Sequence, residues 1–390
     1  MEMTGSSAGK NAKTGLEVLA WPACGERDGN PYTALMYSAL VPPHARIVDF
    51  KPLARAIATP DVFHIHWPEG IFAGRLGGHL PFAALKAWRV IRTARRTRRR
   101  GGVVALTIHN FEPHARLSPG QRSLWWTYRR KLLAEVNLLI GLSETGVGRY
   151  RELNPGARGI DACIIPHPHF RDSYPVPPSR ASARERLGIA PEKRVVGSLG
   201  ALRPSKKIPG AIAAFRAAAD EDDLFLIMGD GDERVAAELH AAAGGDDRVR
   251  IVIGTLSEAA LATAFGAIDV CLINQENTLN SGTALLALSM ERQVIAPAVG
   301  ALPELQEEVG PDWMALFPPP LDPARLRTLL DGLPPVAGPV AALDQLDPGV
   351  MSREMLDAFA TRLGRAERSR STLDRVSLTS SGAAASNVGA

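Results

Sequence analysis

Short apolar, β-branched runs recur along the chain and alternate with segments whose apolar residues return every three or four positions. Runs at Leu16–Trp21, 45–50, 61–66, Val103–Ile108, 138–142 and 162–166 read as strands. Between them, 32–40, 80–100, 124–136 and 147–158 carry helical spacing. After a stretch rich in Pro, Ser and charge the alternation starts again. Strands are expected at Arg194–Leu199, 224–228, Val249–Ile253, 270–273 and 294–296, with helices at 208–219, Glu233–Ala243, 258–265 and 283–290. Strands alternating with helices build a doubly wound parallel sheet. The two series therefore predict an α/β fold of two Rossmann-like lobes facing a cleft. The expected layout is a first lobe over 15–170, a linker over 171–190, a second lobe over 191–345 and a last helix over 350–368. Residues 1–14, and the Ser/Thr/Ala/Gly-rich 369–390, are expected to be disordered.

Composition narrows the class. With 45% hydrophobic and 22% charged residues over 390 positions, the chain can bury two full cores. The 36 Gly and 30 Pro follow no period, which excludes collagen-like and low-complexity chains. Cys24, Cys163 and Cys271 lie far apart, forming neither a disulfide framework nor a zinc motif, and fit a reducing cytoplasm. The first residues lack the apolar core of a signal peptide, and no apolar stretch of roughly 18 residues is present to span a bilayer. Net charge changes the picture when divided: residues 1–170 carry +11 and the remainder −7, so the lobes are expected to meet different partners.

Ligands of open α/β sheets bind beyond the carboxyl ends of the strands, so the loops there are the places to look for chemistry. Gly200-Ala-Leu-Arg203-Pro-Ser-Lys206-Lys207 follows one strand: a glycine turn, then cations able to grip a diphosphate. Asn280-Ser281-Gly282-Thr283 opens an apolar helix, whose unpaired N–H groups and hydroxyls suit the same anion. A solvated basic loop and an ordinary helix cap are the bland alternatives. The P-loop and G-x-G-x-x-G signatures are missing, which argues against P-loop NTPases and nicotinamide or flavin enzymes. In the first lobe, His64-Ile-His66-Trp-Pro-Glu69, Thr107-Ile-His109-Asn110-Phe-Glu-Pro-His114 and Asn30-Pro-Tyr32 follow strands. Glu69 is the first choice for a general base and His109 the second. The histidines are expected to be hydrogen-bonded core residues, not metal ligands, and Asp230-Gly-Asp232 reads as a tight turn. No metal or cofactor is expected. A block containing Arg92, Arg95, Arg96 and Arg99 follows Leu80, Ala84, Trp88 and Ile91 at helical spacing, as in a helix lying on anionic lipid. With no aromatic platforms between the arginines, nucleic acid is the weakest partner for this block.

Taken in order, Asn30–Leu40, Asp61–Glu69, Thr107–His114, Pro166–Asp172, Leu202–Lys206, Asn280–Ser289 and Glu308–Trp313 resemble the bacterial exopolysaccharide β-mannosyltransferases of the xanthan type, which are GT-B glycosyltransferases. The resemblance implies inverting transfer of mannose from GDP-mannose to a lipid-diphosphate-linked oligosaccharide at the cytoplasmic membrane face. It implies that Gly200, Arg203, Lys206, Ser281, Gly282 and Thr283 bind the leaving diphosphate. It puts Glu69 and His109 near the sugar, and Asn30, Tyr32, His66, Asn110, His114 and Asn280 near donor sugar or acceptor. Retaining GT-B enzymes carry two glutamates separated by seven residues, where this chain has Thr278 and Leu286. The other readings kept open are a UDP-sugar transferase, a UDP-sugar epimerase of the same fold and a non-catalytic nucleotide-sugar binder.

Overall fold

The computed structural model describes residues 15–23, 31–54, 60–74, 78–113, 116–335 and 340–364. The expected disordered ends, together with Asn30 and His114, lie outside them. The first lobe runs β1 (Leu16–Trp21), α1 (Tyr32–Met36), β2 (Ala45–Asp49), β3 (Val62–Ile65), α2 (Leu80–Arg99), β4 (Val103–Ile108), α3 (Pro119–Leu133), β5 (Leu138–Gly141), α4 (Glu144–Leu153) and β6 (Ala162–Ile164). The second runs α5 (Arg180–Leu187), β7 (Arg194–Leu199), α6 (Ile208–Ala218), β8 (Asp223–Gly229), α7 (Glu233–Ala243), β9 (Val249–Ile253), α8 (Glu258–Ala267) and β10 (Val270–Leu272). It continues through α9 (Gly282–Ser289), β11 (Gln293–Pro297), α10 (Leu302–Val309), β12 (Met314–Phe317) and α11 (Pro323–Gly332). The last helix is α12 (Pro348–Arg362).

Each lobe holds a six-stranded sheet, ordered β2-β1-β3-β4-β5-β6 and β12-β11-β10-β7-β8-β9, with parallel pairing throughout. Inner strands such as β4 and β8 are buried on both faces, which is why they read as continuous apolar runs and not as alternating ones. Strand order reverses between β1 and β3 in one sheet and between β7 and β10 in the other. Such reversals leave a crevice at the strand ends. The two crevices hold the residues described below.

Three departures from the expected elements have local causes. The helix expected over 32–40 stops at Met36: Ser38 and Leu40 close tighter i→i−3 turns on Leu35 and Tyr37, and Pro42-Pro43 then follow. The stretch expected to be a plain linker over 171–190 contains α5, capped by Ser179. Its Arg184, 1% exposed, gives hydrogen bonds to the carbonyls of Pro191, Lys193 and Ala267 and pairs with Asp269 at 2.7 Å. The proline-rich region after β11, where the spacing predicts no element, supplies α10, β12 and α11.

The chain crosses between the lobes twice. Arg171, on the outward crossing, binds Glu291, Asp344 and the Val340 carbonyl, which ties it to the return crossing. The returning α12 packs Met351, Met355, Leu356 and Phe359 against Met36, Tyr37 and Leu40 of the first lobe. α12 thus completes the first lobe's core.

Candidate active site

At the second lobe's crevice, β7 ends in Gly200 at φ +91°, a left-handed conformation that favours glycine. The chain then turns through Arg203, which is exposed, into a short 3₁₀ turn, Pro204–Lys206. The Lys206 ammonium lies 3.4 Å from both the Leu199 carbonyl and the Thr283 hydroxyl. Thr283 stands in the first turn of α9. Ser281 caps that helix, its hydroxyl oxygen accepting from the Ala284 N–H at 3.2 Å. The basic loop and the helix N-terminus expected to share one anion are therefore adjacent. They bound a small recess of about 20 Å³, together with Ser198 and Asn274.

Two features set this region apart. Burial pushes the Lys206 ammonium down to about 8, with the charge of nearby Arg203 adding a smaller push. Asn274 Oδ1 and Asn280 Nδ2 are buried and have no hydrogen-bond partner among the described residues. Buried polar atoms are normally paired; Asn274 lines the small recess and Asn280 the cavity between the lobes. Lys207, also in the basic loop, is neutralised by a salt bridge to Glu276. Of the loop's cations, Arg203 and Lys206 are thus the ones without a carboxylate partner among the described residues. Asp232 caps α7 through the Val235 N–H, and Asp230 accepts from the Thr255 hydroxyl; the chain at 230–232 forms no turn of its own. Among the described residues no three His, Cys, Asp or Glu side chains are grouped to hold a metal ion.

At the first lobe's crevice, His64 and His66 extend from the end of β3 and Thr107 and His109 from the end of β4. A continuous hydrogen-bonded chain links them. Thr107 Oγ1 lies 2.8 Å from His64 Nε2, and the Tyr37 hydroxyl lies 2.7 Å from both His64 Nδ1 and His66 Nε2. His66 Nδ1 lies 3.2 Å from His109 Nε2. Trp67 stacks on the His109 ring at 4.5 Å, and Tyr32 meets its edge at 4.6 Å. Tyr32 also touches His167, which follows β6, at 4.8 Å. Burial holds all four of these histidines below the ordinary imidazole value, His64 down to about 3 and His167 to about 4. His66 and His109 are lowered further by neighbouring histidines. Ringed as it is, His109 still keeps part of its surface open. Glu69, on the 3₁₀ turn Pro68–Phe72, accepts from the Asn110 amide at 3.3 Å, so Asn110 connects the two candidate bases.

A cavity of about 270 Å³ lies between the lobes, with Ser143, Pro166 and His167 on one wall and Asn280, Ser281 and Glu304 on the other. Glu304 accepts from the Glu144 and Thr145 N–H groups at 2.9 and 2.8 Å, so its carboxylate caps α4 across the cleft. His167 thus links the histidine cluster to the wall that carries the α9 N-terminus. Of the expected sugar and acceptor contacts, Asn280 lines this cavity, whereas Tyr32 and His66 lie against His109 and Asn110 against Glu69. Tyr37, Trp67, His167, Asn274 and Glu304 were not singled out from the sequence. Their roles depend on pairing between strands and lobes that no local motif encodes.

The basic helix is α2. Its inner face buries Ala83, Ala87, Val90, Ile91 and Ala94, so Ile91 belongs to the core and not to the outer apolar stripe expected for it. The exposed apolar residues are Leu80, Phe82, Leu85 and Trp88, at 40–51%. Arg92 covers Trp88 at 5.2 Å, and Arg99 is exposed near the helix end, while Arg96 is half-buried. Arg95 is exposed and pairs with Glu135 at 2.6 Å. Trp126 of neighbouring α3 is 50% exposed. No helix among the described residues is long and apolar enough to cross a membrane.

No protein-family model matches the chain. It is similar to the GDP-mannose:glycolipid 4-beta-D-mannosyltransferase of Xanthomonas campestris pv. campestris, at 27% identity over 82% of this chain and 84% of that one. It is also similar to the 2-deoxystreptamine glucosyltransferase of Streptomyces kanamyceticus, at 25% identity over 74% and 76% of the two chains. Among solved structures, an α,α-trehalose-phosphate synthase from Burkholderia vietnamiensis matches with a TM-score of 0.59 at 13% identity, over 90% of this chain and 99% of that one. Anabaena HepE in complex with UDP matches with a TM-score of 0.58 at 14% identity, over 92% and 100%. These structures share the GT-B fold, and so does this chain.

Proposed function

We propose that this GT-B-fold glycosyltransferase, which resembles the xanthan-type β-mannosyltransferases, transfers mannose from GDP-mannose with inversion to a lipid-linked oligosaccharide. The observation that carries the reading is the meeting of Lys206 with Thr283 at the N-terminus of α9, beside exposed Arg203. A sugar nucleotide leaves as a diphosphate, and stabilising that departing charge is the largest single contribution a protein can make to the step. Arg203, Lys206, the Thr283 hydroxyl and the first N–H groups of α9 supply it. Gly200 lets the loop turn tightly enough to present them. Mannose as the donor sugar rests on the Xanthomonas relative alone.

In this reading the acceptor hydroxyl attacks the anomeric carbon from the first-lobe side. That carbon passes through an oxocarbenium-like state, and Glu69 takes the acceptor's proton. Asn110 holds the Glu69 carboxylate in place. The test is incubation with GDP-mannose and a polyprenyl-diphosphate-linked oligosaccharide, with the product's anomeric configuration read by NMR. β-Linked mannose is expected. Transfer from UDP-sugars with GDP-mannose unused would replace the donor, and epimerisation of a UDP-sugar without acceptor would replace the function.

The lipid-linked acceptor gives α2 its role at the inner face of the cell membrane. Phe82, Leu85 and Trp88 would enter the interface while Arg92, Arg95, Arg96 and Arg99 meet anionic headgroups. Each such charge contributes about 1 kcal/mol near the surface. Replacing the four arginines by Gln should therefore lower binding to phosphatidylglycerol-containing liposomes at least 100-fold in sedimentation assays. Trp88→Ala should weaken binding even at high salt. Binding unchanged by the arginine replacements would return α2 to a solvated helix.

A further inference from the structure

The first lobe's hydrogen-bonded chain has a direction, and that direction assigns a role to His109. We propose that the chain Thr107–His64–Tyr37–His66 fixes His109 as the tautomer carrying its hydrogen on Nδ1. His109 then offers the bound substrate a hydrogen-bond donor and is not the base. The inference deepens the transferase reading and rests on it for the word substrate; the tautomer itself does not.

Thr107 is 2% exposed, and its hydroxyl has one hydrogen-bond partner among the described residues, His64 Nε2. A buried donor left unmatched is costlier than an acceptor with a spare lone pair, so Thr107 donates and His64 Nε2 accepts. A neutral imidazole carries one hydrogen, and burial keeps His64 neutral. That hydrogen is therefore on Nδ1, facing the Tyr37 oxygen. Tyr37 gives its own hydrogen to His66 Nε2. His66, 1% exposed and neutral, must then carry its hydrogen on Nδ1 and donate to His109 Nε2. His109 Nε2 is now an acceptor, which leaves the ring hydrogen on Nδ1. No described residue bonds to that nitrogen, and His109 is the one histidine of the hydrogen-bonded chain that is not fully buried.

Running the chain the other way would make His64 donate to Thr107 and strand the threonine hydrogen in the core. The direction chosen by Thr107 is thus transmitted through three residues to the crevice. His66 and Tyr37 are positioning residues, while His109 reaches the substrate. Its partner must be an acceptor oxygen, either a hydroxyl of the donor sugar or an oxygen of the diphosphate. Proton removal from the acceptor falls to Glu69.

Two measurements test this on the intact protein. The first is a long-range ¹H–¹⁵N correlation spectrum of the histidine side chains, with His109 assigned by its loss in His109→Asn. A protonated Nδ1 and an unprotonated Nε2 on His109 are expected; the opposite pattern overturns the proposal whatever the enzyme transfers. The second is activity. Asn places an amide N–H where His Nδ1–H stands, so His109→Asn should stay within about tenfold of the parent kcat while His109→Ala loses at least 100-fold. Glu69→Gln should lose as much as His109→Ala. Equal loss in His109→Asn and His109→Ala, with Glu69→Gln active, would make His109 the base and sink the assignment. Tyr37→Phe interrupts the chain. It should convert the single His109 pattern to a mixture of tautomers and lower kcat with KM little changed; an unmoved pattern would show that the chain does not set the tautomer.

Discussion

Lys206→Met should lower kcat/KM for sugar transfer about 100- to 1000-fold, the loss typical of removing one group that stabilises a developing anion. Methionine keeps the length and apolar stem of the half-buried side chain, so the melting temperature should stay close to the parent's. The same lysine gives the parent a pH signature. Burial holds its ammonium at about 8, far below an exposed lysine. Below that pH the charge is present in the free protein. Above it the charge must be regained from solvent when a diphosphate binds, so nucleotide affinity should weaken as pH rises past 8. Lys206→Met should lack this dependence. Full activity in Lys206→Met, or a flat affinity from pH 7 to 9.5 in the parent, would remove Lys206 from the leaving-group site.

The protein should also lose stability steeply in mild acid, by an amount set by the histidine cluster. His64, His66, His109 and His167 all lie below the imidazole value of the unfolded chain, chiefly through burial. Between pH 6.5 and about 4 the unfolded chain therefore binds more protons than the native one. Native stability is complete above pH 6.5 and declines as pH falls through this window. Each histidine contributes about 1.4 kcal/mol per pH unit, so the four together approach about 5 kcal/mol per unit. Against a typical total of about 5–15 kcal/mol, unfolding should set in near pH 5. Urea titrations between pH 7 and 5 measure this directly. Unfolding free energies that stay level over that range would mean that the cluster is not buried in neutral form.

The two lobes were legible because fully buried parallel strands are written as apolar runs, and Leu16–Trp21, Val103–Ile108 and Arg194–Leu199 form as read. The basic loop and the start of α9 were legible because each is local: a glycine turn followed by cations, and a capped helix start. The histidine chain was not. Its order depends on β3 pairing with β4, where His64 sits opposite Ala105 and Thr107 lies two residues further on, and on Tyr37 leaving its helix. Those contacts span separations of 27 to 43 residues. Nor could helical spacing say which side of α2 faces the core: it made Ile91 part of an outer stripe, where packing beside Val90 and Ala94 buries it. The return of α12 to the first lobe was equally hidden, since an amphipathic helix does not name the surface it will cover.

Thermal melting of the purified protein with GDP, UDP and ADP in parallel puts the donor assignment at risk in one experiment. A nucleotide present at 100 times its dissociation constant stabilises the native state by about 2.7 kcal/mol, a shift of a few degrees for a chain of this size. The expected result is a clear shift with GDP, little with UDP or ADP, and loss of the GDP shift in Lys206→Met. A shift with UDP alone, or none with any nucleotide, would contradict the GDP-sugar assignment.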